Sequence, residues 1–238
     1  MGRVISQCVK ERTDCEISVG IDINGESTFG YPIYTDFSNV SEQVDVIIDF
    51  SHPKALSPLL AFAKEKQVPC VLCTTGYSTE QVEELKKISE SVPIFYSRNM
   101  SLGINLLIAL SQKAAAVLGN EFDIEIIEMH HNQKIDAPSG TALMLADGIA
   151  QIRGKGTRYV YDRHSQRKKR EQNEIGLHSV RGGTIVGEHE VIFAGPHEVI
   201  SLSHSAQSKE VFANGAINAA VYMAGRSPGL YDMSDLLK

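Results

Sequence analysis

A chain of 238 residues with 42% hydrophobic content has room for one large domain or two modest ones, each with its own core. A formal net charge of -6 and a pI near 5.8 argue against general affinity for nucleic acid or anionic membrane and point to a small-molecule partner. No apolar run is expected to approach the roughly 20 residues that span a bilayer, and no signal segment opens the sequence, so the expected location is cytoplasmic.

The first half alternates helix and strand. Val4, Ile5, Cys8 and Val9 recur at helical spacing directly after Met1, and 16–22 reads as a strand. A nearly continuous apolar strand at 44–50 precedes a helix at 53–66 and a strand at 68–73 that runs into Thr74-Thr75-Gly76. Ser78 with Gln81 forms a capping box for a helix at 79–90, and 92–96 reads as another strand. Apolar strands separated by helices predict a parallel sheet covered on both faces, the architecture of a doubly wound nucleotide-binding domain. Cys70 and Cys73 form a C-x-x-C within one strand, where period-2 geometry sends the thiols to opposite faces. Buried reduced thiols are expected there, not a redox or metal pair.

The pattern changes near residue 101. A long apolar helix at 101–118 leads to a strand at 123–129, a helix at 140–152, then strands at 175–181, 184–194 and 198–205, and a helix at 208–224. Strands in succession call for a mixed or antiparallel sheet. Arg167-Lys168-Lys169-Arg170 lies in a polar stretch without periodicity and reads as a mobile, solvated loop, compatible with attracting an anionic substrate.

A dinucleotide-binding unit usually opens with a strand and a glycine-rich turn into a helix, and an acidic residue about 20 positions on takes the ribose. Asp22 follows Gly2 by 20 residues, which fits if Gly2 is the last glycine of that turn. The first strand and the earlier glycines are then missing, and the neighbouring strands are expected to lack a ladder partner.

The stretch EMHHNQKIDAPSGTA at 128–142 concentrates the chemistry. His130 and Lys134, four residues apart at the end of a strand, suit protonation of an intermediate that carries developing negative charge. Ser139, Gly140 and Thr141 present hydroxyls and backbone N–H groups at a helix start, a site for carboxylate or phosphate. Structural readings stand beside this one: a satisfied histidine pair, and Ser139 as a simple N-cap. Metal is not expected, because adjacent histidines on a strand diverge.

The same stretch resembles the signature E-x-H-H-x-x-K-x-D-A-P-S-G-T-A of the 4-hydroxy-tetrahydrodipicolinate reductase (dihydrodipicolinate reductase) family of bacterial lysine biosynthesis. The resemblance extends over nearly the whole chain, through Asp49-Phe50-Ser51, Thr74-Thr75-Gly76, Asn99-Met100-Ser101-Leu102-Gly103, Arg181-Gly182-Gly183, Gly187-Glu188-His189, Phe212-Ala213-Asn214-Gly215-Ala216 and Gly229-Leu230-Tyr231-Asp232-Met233. It implies hydride transfer from NADH or NADPH to a cyclic unsaturated dicarboxylate, giving tetrahydrodipicolinate. His130 would be the proton donor and Lys134 its catalytic partner, with His131, Ser139, Gly140 and Thr141 around the substrate carboxylates. Asp22 would hold the adenosine ribose, while Cys73, Thr74, Thr75, Ser97, Arg98, Asn99 and Met100 would line the nicotinamide side. Ile23-Asn24 stand where family members that use the phosphorylated cofactor often carry a basic residue, so NADH is expected to serve at least as well as NADPH.

The resulting expectation is an α/β chain: a truncated Rossmann-like dinucleotide-binding domain at 1–101, completed by 210–238, and an α+β substrate-binding and tetramerisation domain at 102–209. A homotetramer with a cleft between two domains is implied by the resemblance. The alternative is a non-catalytic dicarboxylate-binding or oligomerisation module derived from the same reductase.

Overall fold

Ser78 accepts the backbone N–H of Gln81 and the Gln81 side chain accepts the N–H of Ser78, so the capping box written in the sequence starts its helix in the computed structural model, which describes residues 1–25 and 29–237. In chain order the elements begin with α1 (Gly2–Val9), β1 (Gly20–Ile21), β2 (Ile33–Tyr34), β3 (Ile47–Asp49), α2 (Leu56–Lys66) and β4 (Cys70–Leu72). Next come α3 (Thr79–Ser89), β5 (Pro93–Tyr96), α4 (Leu102–Leu118), β6 (Asp123–His130) and α5 (Gly140–Arg153). The chain continues through β7 (Arg158–Val160), β8 (Glu174–Arg181), β9 (Gly187–Ala194), β10 (Val199–Ala206), α6 (Glu210–Met223) and β11 (Gly229–Tyr231). Two units are distinguished: Met1–Leu102 with the chain from Lys209 onward, and Gly103–Ser208.

The first unit holds a parallel sheet in the order β11-β5-β4-β3 and a separate parallel pair, β1-β2. The strand expected at 16–22 shrinks to two residues, because it finds a ladder partner only in β2. The strand expected at 44–50 shrinks to three residues at a sheet edge. Residues 16–21 and 44–46 with Ile48 line a cavity of about 810 Å³, together with side chains of α1 and α6. β11 was not foreseen; three residues carry no measurable period, and pairing with β5 creates the strand.

The two faces of β4 read as the period predicts. Cys70 packs with Leu59, Leu60, Leu85 and Ile94, whereas Val71 and Cys73 pack with Phe95, Met100, Ala216, Ala219 and Met223. Both thiols are free, and burial pushes both upward in pKa, so they are inert apolar fillers. Gly215 lets α6 approach the turn after β5 so closely that a Cβ there would sit 1.7 Å from the Met100 carbonyl oxygen.

The second unit is a mixed sheet in the order β10-β9-β6-β8-β7. β6 runs antiparallel to β9 and parallel to β8. One face packs Ile124, Ile126, Val191 and Phe193 against Ile104 and Leu107 of α4 and Leu145 and Ile149 of α5. One expectation is corrected here and another is qualified. The segment Leu102–Glu121 is 20 residues long with a hydropathy of 1.5, so by length and composition a span-like segment does exist. Ile104, Leu107, Ser111 and Ala115 form its buried stripe, and Leu106, Leu110 and Val117 are exposed. The stretch around Arg167–Arg170 is an exposed loop, as expected, but Arg163, Lys168 and Arg170 fasten it. Arg170 donates to the Asp123 carboxylate at 2.8 Å, to Glu125 at 3.0 Å and to the carbonyls of Ile124 and Glu174 at 3.0 and 2.6 Å. Arg163 bridges Glu125 and Glu174 at 2.8 Å each, and Lys168 pairs with Glu171 at 2.6 Å. Acidic side chains on β6 and at the start of β8 supply partners that a local reading of the basic run cannot see.

Candidate active site

Alternate residues of β6 are buried: Ile124, Ile126, Glu128 and His130 share the core face, so the apolar face of the strand ends in a carboxylate and an imidazole. Register brings Arg181 of β8 opposite His130 and His189 of β9 opposite Glu128. After β6 the chain crosses 131–138 and enters α5, whose N-cap Ser139 accepts the N–H of Ala142 at 3.1 Å.

Glu128 is fully buried and its carboxylate is saturated with donors. Arg181 donates to both oxygens at 2.7 Å, the Ser139 backbone N–H donates at 3.1 Å, and the Nδ1 of His130 lies 2.6 Å from Oε2. Burial by itself would raise the pKa of Glu128, yet these bonds, led by the one from Arg181, bring it down to about 2. Glu128 is therefore a carboxylate at every physiological pH.

For His130 the balance goes the other way. Burial lowers its pKa, the bond to Glu128 opposes the shift without cancelling it, and the charges of Lys134 and Arg181 lower it further. His189 lies edge-on to His130, with ring centres 5.2 Å apart. Its Nε2 is 3.0 Å from the Ser139 hydroxyl, and burial takes its pKa down to about 3, so it is neutral. Lys134 forms an ion pair with Asp136 at 2.7 Å. His131 and Thr141 are half-buried, and Gly140 is exposed at the start of α5.

The structure thus gathers His130, Lys134 and Ser139 into one electrostatic neighbourhood beside the start of α5. A neutral imidazole beside a cationic amine and a helix N-terminus can hold an anion and exchange a proton with it. Glu128, Arg181 and His189 complete the cluster and had been given no role from the sequence. The period of β6 could have placed Glu128 on the face of His130; Arg181 and His189 depend on long-range register and had no local signal.

In the first unit the expected cofactor residues divide into two groups. Asp22, Thr75 and Arg98 are exposed. Cys73, Thr74, Ser97, Asn99 and Met100 are buried, each at most 9% exposed. The Thr74 hydroxyl donates to buried Asp49 at 2.7 Å, and Tyr77 donates to the same carboxylate at 3.1 Å. The Ser97 hydroxyl donates to the Asn99 carbonyl at 2.8 Å, and Asn99 Oδ1 accepts the Ser101 N–H at 2.9 Å. These side chains build the turns at the carboxyl ends of β4 and β5, leaving backbone, Thr75 and Arg98 at the surface, where parallel α/β sheets take their ligands. The Asp22 carboxylate, just past the end of β1, is exposed, with its Oδ1 accepting the Asn24 N–H at 2.9 Å.

Residues 1–100 match the family model described as "Dihydrodipicolinate reductase, N-terminus", and residues 103–237 match "Dihydrodipicolinate reductase, C-terminus". The chain is 52% identical to the 4-hydroxy-tetrahydrodipicolinate reductase of Caldanaerobacter subterraneus subsp. tengcongensis, covering 100% of this chain and 94% of that protein. It is 50% identical to the enzyme of the same name from Clostridium novyi, with the same coverage of 100% and 94%. Among solved structures, a dipicolinate-bound dihydrodipicolinate reductase from Paenisporosarcina sp. TG-14 shares the fold with a TM-score of 0.79 at 24% identity, covering 97% of this chain and 92% of that one. Both halves match one family, and members of it agree with the chain at about half of all positions along its whole length; the chain belongs to the dihydrodipicolinate reductase family.

Proposed function

We propose that the chain reduces 4-hydroxy-tetrahydrodipicolinate to tetrahydrodipicolinate with His130 as the proton donor. The observation that carries this reading is an imidazole hydrogen-bonded to a buried carboxylate beside Lys134 and the start of α5. The first-turn N–H groups of Gly140 and Thr141 and the Ser139 hydroxyl receive a carboxylate, and His131 and Lys134 add donors and positive charge. An anion bound there raises the affinity of His130 for a proton, which offsets the effect of its burial. The imidazolium then protonates the ring as it accepts hydride, so negative charge does not accumulate in a desolvated site.

NADH or NADPH supplies the hydride. Asp22 holds the adenosine ribose, the N-terminal end of α1 favours the pyrophosphate, and the 73–75 and 97–100 turns border the nicotinamide. Ile23 and Asn24 after Asp22 offer no basic side chain to a 2′-phosphate, so NADH is used at least as well as NADPH. The chain works in the cytoplasm as a homotetramer joined through the second unit's sheet. Support for the tetramer comes from that sheet's other face, where Ile127 and Ile192 are only half-buried within one chain.

The test is steady-state oxidation of NADH and NADPH with freshly generated 4-hydroxy-tetrahydrodipicolinate, beside calorimetry with dipicolinate. Turnover supports the assignment. Dipicolinate binding without turnover under either cofactor would refute it in favour of a binding module, and sedimentation of a monomer would remove the tetramer.

A further inference from the structure

We infer that Glu128, clamped by Arg181, is the positioning residue that fixes which nitrogen of His130 exchanges the proton. The inference rests on the reading of His130 as the proton donor. It goes beyond that reading by assigning the atom and the device that selects it.

An ionised carboxylate has only acceptors to offer. Glu128 spends its two oxygens on two N–H groups of Arg181, one backbone N–H and the Nδ1 of His130. Nδ1 can approach to 2.6 Å only if it carries the hydrogen. The neutral ring is therefore the Nδ1–H tautomer, and Nε2 is left as the atom that gains and releases a proton. A histidine side chain free in water favours the other tautomer, so the selection is imposed by the protein.

The carboxylate in turn cannot rotate away. Arg181 grips it in the two-point geometry of a guanidinium fork, and the same Arg181 donates to the carbonyl of Asp136 at 2.6 Å, tying the clamp to the loop that bears Lys134. Around Nε2 the strand β9 contributes Gly187, where a Cβ would come within 3.1 Å of that nitrogen. Glycine at this position keeps the working atom uncrowded. The charged and titratable groups facing His130 are thus Glu128 on its own strand, Arg181 on β8, His189 on β9 and Lys134 in the following loop. Among these Glu128 is the anion, so it alone favours the imidazolium.

The experiment uses the full chain labelled with ¹⁵N-histidine, with His130 assigned by the signal lost in His130→Gln. Long-range ¹H–¹⁵N spectra at neutral pH should show His130 as the Nδ1–H tautomer in the unaltered protein, a reading that needs no variant to fold. In Glu128→Ala the signal should move to the Nε2–H tautomer. In Glu128→Gln the alkaline limb of the kcat/KM profile should move to lower pH. Roughly tenfold of kcat should then be lost at neutral pH and regained on acidification, with KM for the dicarboxylate changed less than about twofold. That loss corresponds to about 1.4 kcal/mol. An Nε2–H tautomer in the unaltered protein would overturn the inference, as would a pH-independent loss of activity in Glu128→Gln. An Nδ1–H tautomer in a chain that does not turn over the proposed substrate would uphold the positioning and sink only the reaction.

Discussion

Replacing Gly215 with alanine tests how the first unit holds its turns. The added Cβ would lie 1.7 Å from the Met100 carbonyl oxygen and 2.8 Å from its carbon, and both are backbone atoms in a buried contact. No rotamer change relieves such an overlap; helix α6 and the turn at 97–101 must part by roughly 1.5 Å to regain ordinary contact distance. Overpacking of this kind costs about 1–3 kcal/mol, and a rigid backbone partner places it at the top of that range or beyond. Alanine in a helix recovers about 1 kcal/mol over glycine. A net loss of about 2–3 kcal/mol is expected, a fall in Tm of roughly 4–12 °C for a chain of this size. Urea and thermal unfolding followed by circular dichroism measure it, with Gly2→Ala as the control, since nothing lies within 4 Å of a Cβ there. On the proposed cofactor site, NADH affinity should fall as well, because the displaced turn carries Asn99 and Met100. A Gly215→Ala chain as stable as the parent would show that α6 and the turn are not locked, and the argument from close approach would fail.

His130→Ala should lower kcat by roughly 10²–10⁴-fold, the usual worth of general acid catalysis, with little change in NADH affinity; an unchanged kcat would remove His130 from the proton transfer. Stability should fall on acidification from two groups with the same sign. His189 titrates near 3 when folded against an ordinary 6.5, so the unfolded chain takes up the extra proton as pH drops below 6.5. Glu128 titrates at about 2 against 4.5, so its contribution is whole above pH 4.5 and is lost towards 2. Tm measured from pH 7 to 4 should therefore decline in the native chain and decline less in His189→Gln between 6.5 and 4.5; parallel curves would refute the assignment. Arg170→Ala should cost about 1–3 kcal/mol through the loss of bonds to Asp123, Glu125 and two carbonyls, while Lys169→Ala should be near neutral in the same denaturation assay.

The parts of the fold governed by local rules were legible. The Ser78 capping box, the alternation of β6 and the helices at 79–89 and 140–153 follow from neighbours a few residues apart. What failed depends on distant partners. The run at 16–22 has strand composition, yet a strand exists only where a neighbour supplies hydrogen bonds, and the pairing with β2 covers Gly20 and Ile21, with Gly20 donating to the Pro32 carbonyl and Asp22 to the Tyr34 carbonyl. Three residues at Gly229–Tyr231 become β11 for the converse reason. The basic run at 167–170 is mostly exposed as read, but the anchoring of Arg170 was not visible because its acid partner on β6 sits 47 residues away. In the candidate site, His130, Lys134 and Ser139 were readable from one contiguous motif. Arg181 and His189 reach it through pairing across the sheet, and the part Ser97 and Asn99 play in building the turn after β5 had no local signal.

The return of the chain after Lys209 has a consequence for biosynthesis. Residues 103–208 are contiguous, so the second unit can assemble as soon as they leave the ribosome. The first unit cannot: Val71, Phe95 and Met100 share a cluster with Ala216, Ala219, Met223 and Met233, and β5 gains its outer neighbour at Gly229–Tyr231. The earlier-made segment therefore waits for the later-made one with part of an apolar sheet face bare, a nascent state that favours chaperone engagement. A stall or premature stop near residue 208 yields a product with a finished second unit and a first unit prone to aggregate.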